Sequence, residues 1–370
     1  MVNRSGDILL RRTLREFQTL TRYDPGDNIQ SLSRRLGRPS SEILKLNANE
    51  NFFIPQEFLR DLLREVIQEV DPRLYPGDET QELSEALGSY VNVSSDAVVV
   101  GTGADELISL VSQMLLTRGD QAISIDPTFS VYGERVRIQR ANYKAIPLRR
   151  DFSLNIDKIL SSATSKTKLF FLCSPNNPTA NQFSREQITK LVRDFPGFLV
   201  IDEAYAEFAE DTTIDLIKES QKIIVLRTFS KMFGLAGFRL GYAITNQRLA
   251  SHMYKIQLPF SVSNIALRLA LKLLQNSRTI RSAVEELKIQ RTKLTQELNQ
   301  IEGVHAFDSQ TNFVLFNTKE SSDDVHSKLL NKGIIIKKLG RVLQLNNCLR
   351  VTVAPSYMME KFLTYLKEAL

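Results

Sequence analysis

The sequence predicts an α/β protein with a large domain, built on a mostly parallel central sheet flanked by helices, and a smaller α+β domain. Three observations lead there. The chain has 370 residues, more than one hydrophobic core organises and suited to two unequal domains at ~100 to 200 residues each. Between Ala97 and Thr245 short apolar runs recur without polar alternation, as strands buried on both faces require. Helical patterns separate many of these runs, which is how parallel strands are connected.

Taken in order, Leu9, Leu10, Leu14 and Phe17 lie on one side of a helical pattern reaching Thr21, so an amphipathic arm packed on the body or on a partner is expected. Tyr23-Asp24-Pro25-Gly26 reads as a turn. A second amphipathic helix spans Gln56 to Val70 and runs into Asp71-Pro72 and a Leu74-Tyr75-Pro76-Gly77 turn. The expected strands are Ala97 to Val100, Ala122 to Ile125, Lys168 to Cys173, Phe198 to Ile201, Lys222 to Leu226 and Leu240 to Ile244. Between them the pattern turns helical at Asp105 to Leu116, Tyr132 to Arg140, Ser184 to Phe195 and Gln247 to Ile256. Pro259 interrupts, and one long helical stretch then runs from Val262 to about Gln300, with Ile265, Leu269, Leu273 and Leu274 at helical spacing. Phe313 to Phe316, Ile334 to Ile336 and Leu349 to Val353 complete the small domain as strands. The chain thus divides into an arm (1–22), a segment joining the small domain (23–49), a large domain (50–258) and a small domain (259–370).

Composition excludes several classes of function. Hydrophobic residues make up 42% and charged residues 24%, and no window approaches the ~18 uninterrupted apolar residues of a membrane span. Arg11, Arg12, Arg15 and Glu16 interrupt the first apolar run, so a secretory signal is not expected and the cytoplasm is the expected compartment. Two cysteines and three scattered histidines form neither a disulfide framework nor a zinc spacing, and no metal is expected. The net charge of +6 comes from 48 basic and 42 acidic residues. Its densest stretches, Arg137 to Arg150 and Lys332 to Arg341, are interleaved with apolar residues as solvated faces are, so no nucleic-acid partner is expected.

Ligands of open α/β sheets gather beyond the carboxyl ends of the strands, and five such places carry polar residues. Val100-Gly101-Thr102-Gly103-Ala104-Asp105-Glu106 is a strand, a glycine turn and a helix start, a geometry that suits phosphate but also occurs with no ligand. Ser174-Pro175-Asn176-Asn177-Pro178-Thr179 can be a simple turn or can offer the Asn177 amide to an oxyanion. Val200-Ile201-Asp202-Glu203-Ala204-Tyr205 sets a carboxylate at the sheet opening, though a strand-end aspartate is often a helix cap. Thr228-Phe229-Ser230-Lys231 adds two hydroxyls and an amine, where the ordinary fate of a lysine is solvation. In Gly234-Leu235-Ala236-Gly237-Phe238-Arg239-Leu240-Gly241-Tyr242 the glycines permit close backbone approach and Arg239 can fork onto phosphate.

In this order and spacing, the five segments resemble the fold-type I, class I and II aminotransferases, which depend on pyridoxal 5′-phosphate (PLP). The likeness runs from Tyr23-Asp24-Pro25-Gly26 and Lys45-Leu46-Asn47-Ala48-Asn49-Glu50-Asn51 to Leu349-Arg350-Val351-Thr352. Within that family the Arg73-Leu74-Tyr75-Pro76 and Gly101-Thr102-Gly103-Ala104-Asp105-Glu106 segments are most similar to the histidinol-phosphate branch, which exchanges an amino group with 2-oxoglutarate. An aromatic or broad-specificity aminotransferase, a threonine-phosphate decarboxylase and a non-enzymatic binding protein are the alternatives.

The resemblance implies a role for each residue. Lys231 would carry PLP covalently and move the proton at the substrate's Cα. Asp202 would keep the pyridine nitrogen protonated, Tyr205 and Asn177 would bond the phenolic oxygen, and Phe129 would stack on the ring, its plain alternative being a core phenylalanine. The phosphate would rest on the Ala104 and Asp105 N–H groups, Thr228, Ser230 and Arg239, with Tyr75 reaching in from the partner of a homodimer. Arg350, Tyr23 and Asn49 would bind the substrate. Two departures stand out: Phe52-Phe53-Ile54-Pro55 replaces the usual proline and glycine near the expected substrate mouth, and Ala180 replaces a glycine.

Overall fold

The chain begins with two helices, α1 (Arg4–Phe17) and α2 (Ile29–Leu36), in a computed structural model that describes residues 4–18, 20 and 26–370. Tyr23-Asp24-Pro25, and with it the substrate contact expected of Tyr23, lies outside the described residues. Leu9, Leu10 and Leu14 of α1 are 66%, 55% and 53% exposed, so the described residues leave their stripe uncovered. The strand β1 (Leu44–Lys45) follows, then α3 (Gln56–Glu69) and α4 (Glu79–Val91). The recurring units are β2 (Val98–Gly101), α5 (Gly103–Leu115), β3 (Gln121–Asp126), α6 (Val131–Ile138), β4 (Asn142–Pro147), α7 (Ile156–Ser161), β5 (Thr167–Cys173) and α8 (Arg185–Asp194). They continue through β6 (Phe198–Asp202), β7 (Ile223–Thr228), β8 (Gly241–Thr245) and α9 (Gln247–Ile256). Beyond lie α10 (Asn264–Gln275), α11 (Ser277–Asn299), β9 (Val304–Ala306), β10 (Phe313–Thr318), α12 (Ser322–Asn331), β11 (Ile334–Ile335), β12 (Lys337–Val342), β13 (Leu345–Thr352) and α13 (Ser356–Ala369).

Seven strands form the central sheet in the order β2-β8-β7-β6-β5-β3-β4, with β8 antiparallel to both of its neighbours and every other pair parallel. Its apolar runs are continuous because both faces are covered. Val99, Phe171, Val200 and Leu226 pack into one core, while Val100, Leu172, Ile201 and Val225 pack into the other. Parallel strands with helical crossovers bring the ends of β3, β5, β6 and β7 to one edge, and antiparallel β8 starts there beside Gly101 and Thr228.

Several elements, among them α4, β9 and β12, were not expected from the sequence, and two other departures have a clear physical cause. β4 was hidden in the basic stretch after Arg137, because it is an edge strand and of its residues only Ile146 is buried. The long helix expected from Val262 to Gln300 is two helices, α10 and α11. They part at Asn276, whose side-chain amide donates to the Lys272 carbonyl at 2.8 Å, a local bond that competes with helix continuation.

The C-terminal region carries an antiparallel sheet, β12-β13-β10-β9. β1 joins this region by pairing in parallel with β11. The Leu46 N–H donates to the Ile335 carbonyl at 2.7 Å and the Leu46 carbonyl accepts from the Thr352 N–H at 2.9 Å. Residues 47–51 are thereby held between the small sheet and the loop after β7, where the site forms. Among the described residues no helix is long and apolar enough to cross a membrane.

Candidate active site

The end of β2, the start of α5 and the start of β8 meet with no room for side chains. A Cβ on Gly241 would lie 2.8 Å from the Ala104 nitrogen and 2.9 Å from the Arg227 carbonyl oxygen, and one on Gly103 would lie 3.0 Å from the Arg239 guanidinium. Gly103 also has φ +77°, which only glycine adopts without strain. The first turn of α5 offers N–H groups with no intrahelical partner, and the helix dipole favours an anion there. Around it Arg239 donates to Asp105 Oδ2 at 2.9 Å and to Ser230 Oγ at 3.4 Å. Thr228 Oγ1 in turn accepts from the Ser230 N–H at 3.1 Å. Helix start, two hydroxyls and a guanidinium form a cup for a dianion.

Beside the cup, Lys231 Nζ donates to the Ala48 and Asn49 carbonyls at 2.9 and 3.1 Å and lies 5.8 Å from the Tyr205 ring centroid. Burial, then the nearby Arg350 charge, lowers its pKa to about 8, so the neutral, nucleophilic amine is accessible near neutral pH. Asn49 Nδ2 donates to the Tyr205 hydroxyl at 2.9 Å. Its Oδ1 is buried without a partner among the described residues. Arg350 donates to Asn177 Oδ1 at 2.5 Å and to the Asn47 carbonyl at 2.7 Å, with its guanidinium 4.9 Å from the Phe313 ring centroid.

Asp202 ends β6 and is 4% exposed. Its Oδ2 accepts from the Tyr132 hydroxyl at 2.6 Å and its Oδ1 from the Ala204 N–H at 3.0 Å. Burial pushes its carboxyl up to about 6, against the pull of these two donors. Phe129 is half-buried, edge-on to Tyr132 with centroids 5.6 Å apart.

Lys231, Tyr205, Asn177, Arg350 and Asn49 therefore form one linked group, and Asp105, Thr228, Ser230 and Arg239 form a second adjoining it. Tyr75 stands apart: it is 77% exposed and stacks on Phe260 at 4.7 Å. Sequence reasoning missed Tyr132 and two buried asparagines. Asn312 Nδ2 donates to the Asn49 carbonyl at 2.9 Å, and Asn176 ties the Pro127 carbonyl, Thr128 and Thr179 together. Their signal was an unexplained polar residue beside a strand or loop already singled out.

Both departures have structural answers. Phe53 and Ile54 are buried, Ile54 packs against Gly234 in the loop after Lys231, and Asn51 Nδ2 donates to the Met232 carbonyl at 2.8 Å. Within the altered stretch, Ile54 thus braces the lysine loop. Ala180 has φ +64°, so the backbone there does take the left-handed form that glycine serves best.

The family model for aminotransferase class I and II matches residues 41–366. The chain belongs to this family. The aminotransferase is 33% identical over 328 residues to the histidinol-phosphate aminotransferase of Caldanaerobacter subterraneus subsp. tengcongensis, covering 88% of this chain and 93% of the relative. It is 31% identical to that of Methanosphaera stadtmanae over 98% of this chain and 99% of the other. In structure it is similar to the Sinorhizobium meliloti histidinol-phosphate aminotransferase in complex with pyridoxal-5′-phosphate, with a TM-score of 0.85 at 23% identity, covering 95% and 98% of the two chains. The aminotransferase fold is thus that of the fold-type I enzymes. The donor set also fits PLP chemically: an anion cup, an amine of lowered pKa and a buried carboxylate stand at adjacent strand ends.

Proposed function

We propose that the chain transfers the amino group of histidinol phosphate to 2-oxoglutarate, giving imidazole acetol phosphate and glutamate in histidine biosynthesis, with PLP as cofactor. The observation that carries the chemistry is Lys231, a buried amine of lowered pKa beside the anion cup. The substrate follows from full-length similarity to histidinol-phosphate aminotransferases.

PLP, when bound, supplies an electron sink for the substrate's Cα. Lys231 would hold the cofactor through its Nζ and would move the proton between the substrate's Cα and C4′. Asp202 keeps the pyridine nitrogen protonated. Tyr205 and Asn177 bond the phenolic oxygen, and Phe129 supports the ring face. The Ala104 and Asp105 N–H groups, Thr228, Ser230 and Arg239 hold the phosphate. Arg350 forks onto the anionic group of the substrate, a carboxylate of glutamate or 2-oxoglutarate and the phosphate of histidinol phosphate, which has no α-carboxylate. Tyr23 and Asn49 complete substrate binding, Asn49 through its buried Oδ1, which has no partner among the described residues.

The active unit is a cytoplasmic homodimer in which Tyr75 reaches the phosphate of the partner's cofactor. Leu74, Tyr75, Leu258 and Phe260 are 66%, 77%, 77% and 58% exposed, an apolar group adjoining the cup through the 2.9 Å bond from Thr102 to the Ser261 carbonyl. Burial of such a patch favours self-association.

The test is the rate of 2-oxoglutarate-dependent consumption of histidinol phosphate, compared with phenylalanine, tyrosine and threonine phosphate. Histidinol phosphate should give the highest kcat/KM. Preference for an aromatic amino acid, or carbon dioxide release from threonine phosphate, would replace the substrate assignment.

A further inference from the structure

Tyr132 has no part in the roles described so far, yet it makes one of the shorter bonds of the site, 2.6 Å from its hydroxyl to Asp202 Oδ2. We propose that Tyr132 is the positioning residue of Asp202: its O–H holds that carboxylate ionised and in one orientation, and so governs how tightly the cofactor's pyridine nitrogen is bound. The inference rests on the assignment of Asp202 to that nitrogen.

Three features of the surroundings support this. The phenol sits on α6, is fully buried, and cannot swing away, because its ring stacks on Phe171 at 4.9 Å and 5° and meets Phe129 edge-on. Two donors from different elements, Tyr132 on Oδ2 and the Ala204 N–H on Oδ1, fix the carboxylate plane. A fully buried phenol with only a packing role would be better replaced by phenylalanine, since a buried hydroxyl is costly unless it is bonded. The same ring supports Phe129, so one residue braces two of the proposed cofactor contacts.

The electrostatics point the same way. The titratable groups around Asp202 are Tyr132 from α6, Cys173 from the neighbouring β5, Asp105 from α5, and Glu203 and Tyr205 from its own segment. Burial and the Asp105 and Glu203 charges disfavour ionised Asp202, whereas Tyr132 favours it. Burial also holds the Tyr132 phenol well above its ordinary pKa, so it remains a donor throughout the working pH range.

The test is the dissociation constant of PLP from reconstituted protein, measured by absorbance titration across pH 5 to 8.5 for wild type, Tyr132→Phe and Asp202→Asn. Wild-type affinity should weaken as pH falls through about 6, where Asp202 takes up a proton. Tyr132→Phe should move that limb upward by ~1 pH unit, the size of one hydrogen bond to a charged group, with little change at pH 8.5. Asp202→Asn should abolish that limb and leave only the limb near 8 that Lys231 gives all three proteins. A limb unmoved in Tyr132→Phe but lost in Asp202→Asn would overturn the role of Tyr132 and leave the Asp202 assignment standing. A limb near 6 retained in Asp202→Asn would overturn that assignment, and this inference with it. Should Tyr132→Phe not fold, 3,5-difluorotyrosine at position 132, a stronger donor, should move the limb downward, and an unmoved limb would again refute the proposal.

Discussion

Replacing Asp202 by asparagine should stabilise the cofactor-free protein while weakening its hold on PLP. The carboxyl is 4% exposed and burial raises it to about 6 from 3.8. At ~1.4 kcal/mol per pH unit, keeping it ionised costs the cofactor-free fold ~3 kcal/mol. The folded-state pKa lies above the unfolded one, so the fold is favoured where Asp202 is protonated and loses that stability as pH rises from about 4 to about 6, then levels off. An asparagine introduces no charge and can keep both bonds: its Oδ1 accepts from the Ala204 N–H, and its Nδ2 donates to the Tyr132 oxygen. Urea denaturation of the two cofactor-free proteins should therefore show the variant more stable at pH 8, by up to ~3 kcal/mol, with the gap closing toward pH 4. A variant less stable than wild type at pH 8, or a gap that ignores pH, would refute the reasoning.

Other consequences can be checked directly. The pKa of Lys231 is lowered to about 8, so if it captures PLP as the neutral amine, as proposed, the rate of capture by cofactor-free protein should rise with pH and level off above about 8; a midpoint near 10.5 would contradict this. Arg239→Gln removes the charge-assisted bond proposed to the phosphate and should raise the PLP dissociation constant ~10-fold or more, measured by titration. Arg350→Lys loses the planar fork and should raise KM for both substrates ~10-fold, with the spectrum of bound PLP unaltered. Mixing inactive Lys231→Ala subunits with Tyr75→Phe subunits should yield hybrid dimers in which one site has both native residues, recovering activity above the sum of the parents if Tyr75 acts across the interface.

The central sheet was legible because strands buried on both faces spell continuous apolar runs, as Leu169 to Cys173 and Ile223 to Leu226 do. β4 was not legible, because an edge strand with Ile146 alone buried leaves no such run. The cup and the amine were readable as ordered motifs, since Thr228, Ser230, Lys231 and Arg239 lie close together in sequence. What escaped notice depends on approach between distant segments. Asn312 reaches Asn49 from the small sheet, and Tyr132 reaches Asp202 across two strands of sequence; neither pairing has a local pattern. The Asn276 break between α10 and α11 was missed for another reason: a side chain bonding its own helix leaves the hydrophobic period intact.

The most direct test of the central claim is the absorbance spectrum of PLP-loaded wild type and Lys231→Ala, before and after histidinol phosphate and then 2-oxoglutarate. Wild type should show a long-wavelength band that collapses with histidinol phosphate and returns with 2-oxoglutarate, while Lys231→Ala fails to complete the cycle. A wild-type band unmoved by histidinol phosphate, or a Lys231→Ala protein that cycles at the wild-type rate, would contradict the account.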